Sequence, residues 1–66
     1  MDLDELNKII DESGLKRTFL AQRLGWSDTK LHNRTHGKSG WTIKDVDDVS
    51  KLLRLSRKQK RDIFLP

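Results

Sequence analysis

The sequence predicts an all-α fold of five short helices around one thin core. Three observations lead there. Apolar residues recur at helical spacing, with Leu3, Leu6, Ile9 and Ile10 near one end and Ile43, Val46, Val49 and Leu53 towards the other. Side chains suited to capping helix N-termini stand just ahead of the helical runs: Asp2, Ser27, Thr42 and Ser56. No segment alternates apolar and polar residues as a half-buried strand does.

The elements follow in order. The first helix is expected from Leu3 to Ser13, capped by Asp2, with Asp4 and Glu5 at the positive end of its dipole. Gly14 ends it. The second is expected from Arg17 to Leu24, burying Leu20, Ala21 and Leu24. The third runs from Asp28 to Thr35 and stops at His36-Gly37. A loop with two glycines, Gly37-Lys38-Ser39-Gly40-Trp41, leads to the fourth. There Thr42 is the cap, with Asp45 a weak capping-box partner. Ile43, Val46, Val49 and Leu53 are expected inside, and Asp45, Asp47, Asp48 and Lys51 mostly outside. Ser56 with Gln59 forms a second capping box, opening a fifth helix from Arg57 to Phe64. Pro66 ends the chain.

The 66 residues suit a single domain, 1–66. A chain of that size buries only ~60% of its unfolded surface, so its core is thin. There is no cysteine, which excludes disulfides and thiolate metal sites. No stretch approaches the ~18 apolar residues of a membrane span. The start, Met1-Asp2-Leu3-Asp4-Glu5, is acidic, the opposite of a secretion signal. A soluble, cytoplasmic protein is therefore expected.

Residues 14–38 carry the functional information. Leu20, Ala21 and Leu24 stripe one helix, and Ala21 is small enough for a second helix to cross close above it. Gly25 can take the positive φ that ends the first helix of the pair. Ser27 can accept from the free amides opening the second, and Leu31 points back into the crossing. This spacing is that of a helix-turn-helix. The other face of the second helix shows Asp28, Thr29, His32 and Asn33, hydrogen-bonding groups that suit the major groove of DNA.

Charge points the same way. The net charge is +4. Residues 1–15 set Lys8 against Asp2, Asp4, Glu5, Asp11 and Glu12. Residues 16–38 set Lys16, Arg17, Arg23, Lys30, Arg34 and Lys38 against Asp28 alone. The basic excess thus falls on the helix-turn-helix and on the tail, the footprint of a polyanion binder. The tail cations Arg54, Arg57, Lys58, Lys60 and Arg61 read as a solvated face, or as a flank for DNA or for a partner's acidic patch. Arg57 and Lys58 sit unfavourably on the dipole at the start of a helix.

Catalysis finds no support. The eight Asp and two Glu show no paired pocket pattern, and no Ser-His-acid framework is present. Gly37-Lys38-Ser39-Gly40 lacks the strand and earlier glycine of a P-loop. His32 and His36 stand four apart, a spacing that can hold zinc, but no Cys or Glu completes the set, so no metal and no cofactor is expected. Trp26 and Trp41 read as core or rim aromatics.

Taken together, Gly14-Leu15, Leu20-Ala21, Leu24-Gly25, Ser27, Leu31, Gly37-Lys38-Ser39, Trp41-Thr42 and the tail Leu53-Arg54-Leu55-Ser56 closing on Ile63-Phe64 resemble the Cro/CI type of phage regulator. The likeness is nearest to short Cro-like regulators of phages from Gram-positive bacteria and covers essentially the whole chain. It implies a lambda-repressor-like five-helix fold and a transcriptional regulator, Cro-like, that reads operator DNA with helix 27–36. Base-facing positions would then be Ser27, Asp28, Thr29, His32 and Asn33. Phosphate-facing positions would be Lys16, Arg17, His36, Lys38 and Ser39. The implied partner is double-stranded DNA, bound as a weak homodimer formed on DNA or as a heterodimer with a CI-type repressor. The alternative on the same fold is a modulator that pairs with such a repressor and alters its DNA binding. Leu55, Ile63, Phe64 and Leu65 are the expected contact surface, or else simply close the core.

Three departures from the family stand out. Lys16 stands where a capping residue is usual. Arg34-Thr35 stand where Leu or Ile usually seats the end of helix three, so that end is expected to be looser unless the stem of Arg34 covers the gap. Asp28 places a negative charge at the groove. It can accept from cytosine, or it can serve only as a dipole partner.

Overall fold

A computed structural model describes residues 1–65; Pro66, expected to end the chain, lies outside the described residues. Five helices make up the fold, and no strand is present among the described residues. They are α1 (Leu3–Glu12), α2 (Arg17–Leu24), α3 (Asp28–Thr35), α4 (Ile43–Leu52) and α5 (Arg57–Phe64). α2 packs on α3 and on α4, while α1 closes against α3 and α5. The result is nearly isometric, 26 × 24 × 19 Å.

Local chemistry accounts for the boundaries. Asp2 accepts from the Glu5 amide, and Ser27 accepts from the Lys30 amide. Thr42/Asp45 and Ser56/Gln59 both form complete reciprocal boxes, so the Asp45 partnership is a full one. Lys16, by contrast, makes no side-chain capping bond, as its chemistry requires. α1 stops one residue short of the expected Ser13. There the hydroxyl donates back to the Ile10 carbonyl at 2.6 Å, an alternative to continuing the helix.

The core is small and aliphatic. Leu6, Ile10, Leu20, Ala21, Leu31, Val49, Ile63 and Phe64 are buried. Leu24, Trp26, Trp41, Val46 and Leu53 pack around them. Ile63 is 0% exposed, so it closes the core and is not a contact surface; of the expected set, Leu65 is the exposed member. The Asp2 amide donates to the Ile63 carbonyl at 2.6 Å, tying the start of the chain to the end of α5.

Two residues in the first turn of α4 reverse their expected faces, while Val46, Val49 and Leu53 pack inward as expected. Asp45, placed outside by its charge, is 5% exposed, and Ile43, placed inside by its hydropathy, is 83% exposed. Arg34 is the reason. Its Nε donates to Asp45 Oδ2 at 3.0 Å, and Lys30 Nζ lies 3.7 Å from Oδ1. Positions two apart on a helix lie ~200° apart around its axis. Turning Asp45 inward to meet Arg34 therefore turns Ile43 out.

No helix among the described residues is long and apolar enough to cross a membrane.

Candidate nucleic-acid interface

The α2–α3 corner is built from small residues and backbone bonds. Gly25 takes φ 72°, and its amide donates to the Gln22 carbonyl at 3.1 Å. The Trp26 amide reaches the Ala21 carbonyl at 2.8 Å. With a side chain at residue 25 that conformation would be strained. Ala21 is 1% exposed, which allows close crossing, and Leu31 on α3 is buried above it.

The end of α3 is firmly seated, contrary to the looser end expected from Arg34-Thr35. Thr35 is 1% exposed, and its hydroxyl donates to the Leu31 carbonyl at 2.9 Å, so a threonine occupies a core position without an unmet hydrogen bond. Arg34 is half-buried, and its guanidinium is shared between Asp45 and the Ser39 hydroxyl. The Arg34 carbonyl accepts from the Trp41 indole at 3.0 Å. Trp41 in turn packs on Trp26 and on Phe64, with ring centroids 6.1 and 5.1 Å apart. Burial pushes the Asp45 carboxyl up, but the hydrogen bonds from Arg34 and the Thr42 amide, with the charges of Lys30 and Arg34, outweigh it and hold the pKa below the ordinary aspartate value.

A second polar clip holds the same end of α3 from α1. Asn7 donates to the carbonyls of Leu3 and Thr35, both at 2.9 Å, and accepts from Arg17 Nη1 at 2.9 Å. One side chain on α1 thus joins the end of α3 to the start of α2. Arg17 also pairs with Asp11 at 3.0 Å. Asn7, Arg34 and Asp45 were not singled out as site residues by sequence reasoning. For Asn7 the available signal was an amide inside a helix, where such residues are unfavourable unless bonded elsewhere.

With its C-terminal end held by two polar clips and its start capped by Ser27, α3 presents a continuous polar face. Asp28, Thr29, His32 and His36 are exposed and Asn33 is half-buried. Ser27 is exposed, with Oγ accepting from the Lys30 amide and its own hydrogen free to donate. Lys16, ahead of α2, and Lys38, just after α3, are exposed. Ser39 is half-buried, with its oxygen accepting from Arg34. Arg17, Asp28, Leu31, His32 and His36 line a shallow hollow of about 180 Å³. The structure therefore brings Arg17, Asp28, His32 and His36 together. Ser39 sits apart, beneath Arg34.

The two imidazoles stack with centroids 4.0 Å apart and planes 21° from parallel. His36 Nδ1 lies 2.8 Å from the His32 carbonyl, to which only a protonated nitrogen can donate. His36, partial desolvation, Lys38 and Arg17 all hold the pKa of His32 below its ordinary value. A surrounding that disfavours a further positive charge is one in which an incoming anion gains. No group of three or more His, Cys, Asp or Glu side chains is arranged for a metal ion among the described residues.

What fold and site define together is a compact all-helical protein of five helices with a polar, cation-flanked third helix. Comparison with family models, with curated proteins and with solved structures gave no match.

Proposed function

We propose that this protein is a sequence-specific DNA-binding regulator with a lambda-repressor-like helix-turn-helix fold, in which α2 and α3 form the motif and α3 enters the major groove. The observation that carries the reading is the α3 face itself. It is short, rigidly seated, free of exposed large apolar side chains, and edged by cations. A major groove ~12 Å wide admits such a helix.

Roles follow from placement. Thr29, His32 and Asn33 face base edges, with Asn33 able to make the bidentate pair with adenine. Lys16 and Lys38 neutralise phosphates on either side. Arg17 already bonds Asp11 and Asn7, so it is held in position and offers its remaining N–H groups to a phosphate. His36 joins it across the shared hollow. Asp28 is exposed in the first turn of α3, where it complements the dipole and is open to a cytosine amino group.

One module of this size contacts only ~600–1,000 Å² of DNA. Two copies on half-sites about one helical turn apart are therefore expected in an operator complex. The test is salt-titrated binding to a randomised duplex library. Selection of a common sequence, with affinity falling steeply with salt, supports the reading. Binding without any enriched sequence, or none at low salt, overturns it.

A further inference from the structure

The corner between α4 and α5 carries a second recognition surface, independent of the DNA reading. Ile43, Val46, Phe64 and Leu65 line an apolar groove of about 340 Å³. Ile43 is 83% exposed and Leu65 75%, a concentration of exposed aliphatic surface in a small chain. Ile43 is held outward by the Arg34–Asp45 pair, so its exposure is fixed by the fold.

Cations edge this groove. Arg57 and Arg61 stand on it, and among the described residues neither pairs with a carboxylate. Lys60 reaches Asp47 at 2.8 Å, neutralising that acid. Past Arg57 and Lys60 the groove continues into a second hollow of about 290 Å³, where Lys51 and Arg54 lie. Ser50 lines it too, and its buried hydroxyl has no hydrogen-bond partner. Arg54 takes φ 53°, the one positive φ outside glycine among the described residues. Glycine is the unstrained choice after a helix. An arginine there sets a cation at the mouth of the groove against a backbone cost.

We propose that this groove docks an acidic amphipathic helix of another protein, its apolar face on Ile43, Val46 and Leu65 and its carboxylates on Arg54, Arg57 and Arg61. Charge complementarity selects the occupant. A second copy meeting the groove face to face would set Arg57 and Arg61 against their own counterparts, because a two-fold contact matches a patch with itself. The chain's acidic helix, α1, turns Leu6 and Ile10 fully inward and has no apolar stripe to offer. Nucleic acid would gain nothing from the exposed isoleucine and leucine.

The test uses the whole chain, labelled for amide NMR, and an 18-residue helical peptide with Leu and Phe on one face and Glu on the other. A matched peptide carries Gln for every Glu. Saturable shifts centred on Ile43, Val46 and Leu65, with the Gln peptide at least about tenfold weaker, are expected. Ile43→Ser should weaken the acidic peptide about tenfold or more, from lost burial of one aliphatic side chain. Ile43 is exposed, so this variant retains the fold, which its unchanged spectrum elsewhere verifies. Equal binding of both peptides, shifts centred on α3, or no binding at millimolar peptide would overturn the proposal. So would sedimentation showing a dimer abolished by Ile43→Ser, or duplex DNA shifting these same residues.

Discussion

Two faces of this molecule are basic, and they are built in opposite ways. On α3 the cations flank a polar helix whose large apolar residue, Leu31, is buried beneath it. At the α4–α5 corner they flank an apolar groove with an isoleucine set outward. Net charge alone treats the two alike. What the cations surround separates them: hydrogen-bonding groups are the basis for proposing DNA on one face, and aliphatic surface for proposing a partner helix on the other. Asp45 links both faces, since its carboxylate holds Arg34 at the end of α3 and lies inward, opposite Ile43 on the groove.

The largest expected effect is therefore at that carboxylate. Asp45→Ala leaves Arg34 without its ionic partner in a largely buried position and should cost about 3 kcal/mol, the scale for breaking a buried pair. Denaturant unfolding checks this, and both faces should lose their ligands together. The same residue sets an acid limit. Its folded pKa lies below the unfolded value, so its contribution is present above about pH 4 and is lost as pH falls through the lower folded value. Stability of Asp45→Asn should fall less over that range than stability of the parent chain.

Next in size are the side chains that the proposed function sets against base edges. Asn33→Ala or Thr29→Ala should change which bases are preferred, at ~1–3 kcal/mol per lost contact. Library selection reads that shift. Lys38→Ala and Lys16→Ala should instead weaken all sequences alike, each lowering the salt slope by about 1. Neither class of substitution should alter the α4–α5 groove, and a change there would erase the distinction between the faces.

Acid should also strengthen DNA binding through His32. Its pKa is lowered in the free protein, so the neutral form predominates at pH 7, and the negative potential of DNA favours its protonated form. Affinity should rise as pH falls below about 6.5, and less so in His32→Gln. The opposite sign holds for folding, where the depressed pKa contributes stability above that pH and loses it below. The smallest effect expected is at Arg54. Arg54→Gly relieves the left-handed backbone and should raise stability by about 1 kcal/mol by thermal unfolding. Docking of the acidic peptide should weaken at the same time.

Much of the fold was legible in the sequence because capping is local. Ser27, Thr42 and Ser56 each mark a helix start within three residues of the group they bond, and α2, α3 and α5 run between the expected residues. What was not legible depends on contacts between elements. Arg34 and Asp45 stand eleven residues apart, and nothing in either one's neighbours announces the pair. Hydropathy therefore put Ile43 in and Asp45 out, the reverse of what electrostatics imposes. Asn7 shows the same limit, since its partners lie on α2 and at the end of α3. The α3 face itself could be listed from sequence spacing, but the stacking of His32 on His36 and their shared hollow with Arg17 required the fold.

The most direct measurement is an amide NMR titration of the intact chain with the duplex selected from the library. Shifts concentrated on Thr29, His32 and Asn33 and on the flanking Lys16 and Lys38, with Ile43 and Leu65 unmoved, are the expected result. Shifts centred on Ile43, Arg57 and Leu65, with α3 silent, would contradict the assignment of DNA to the polar face.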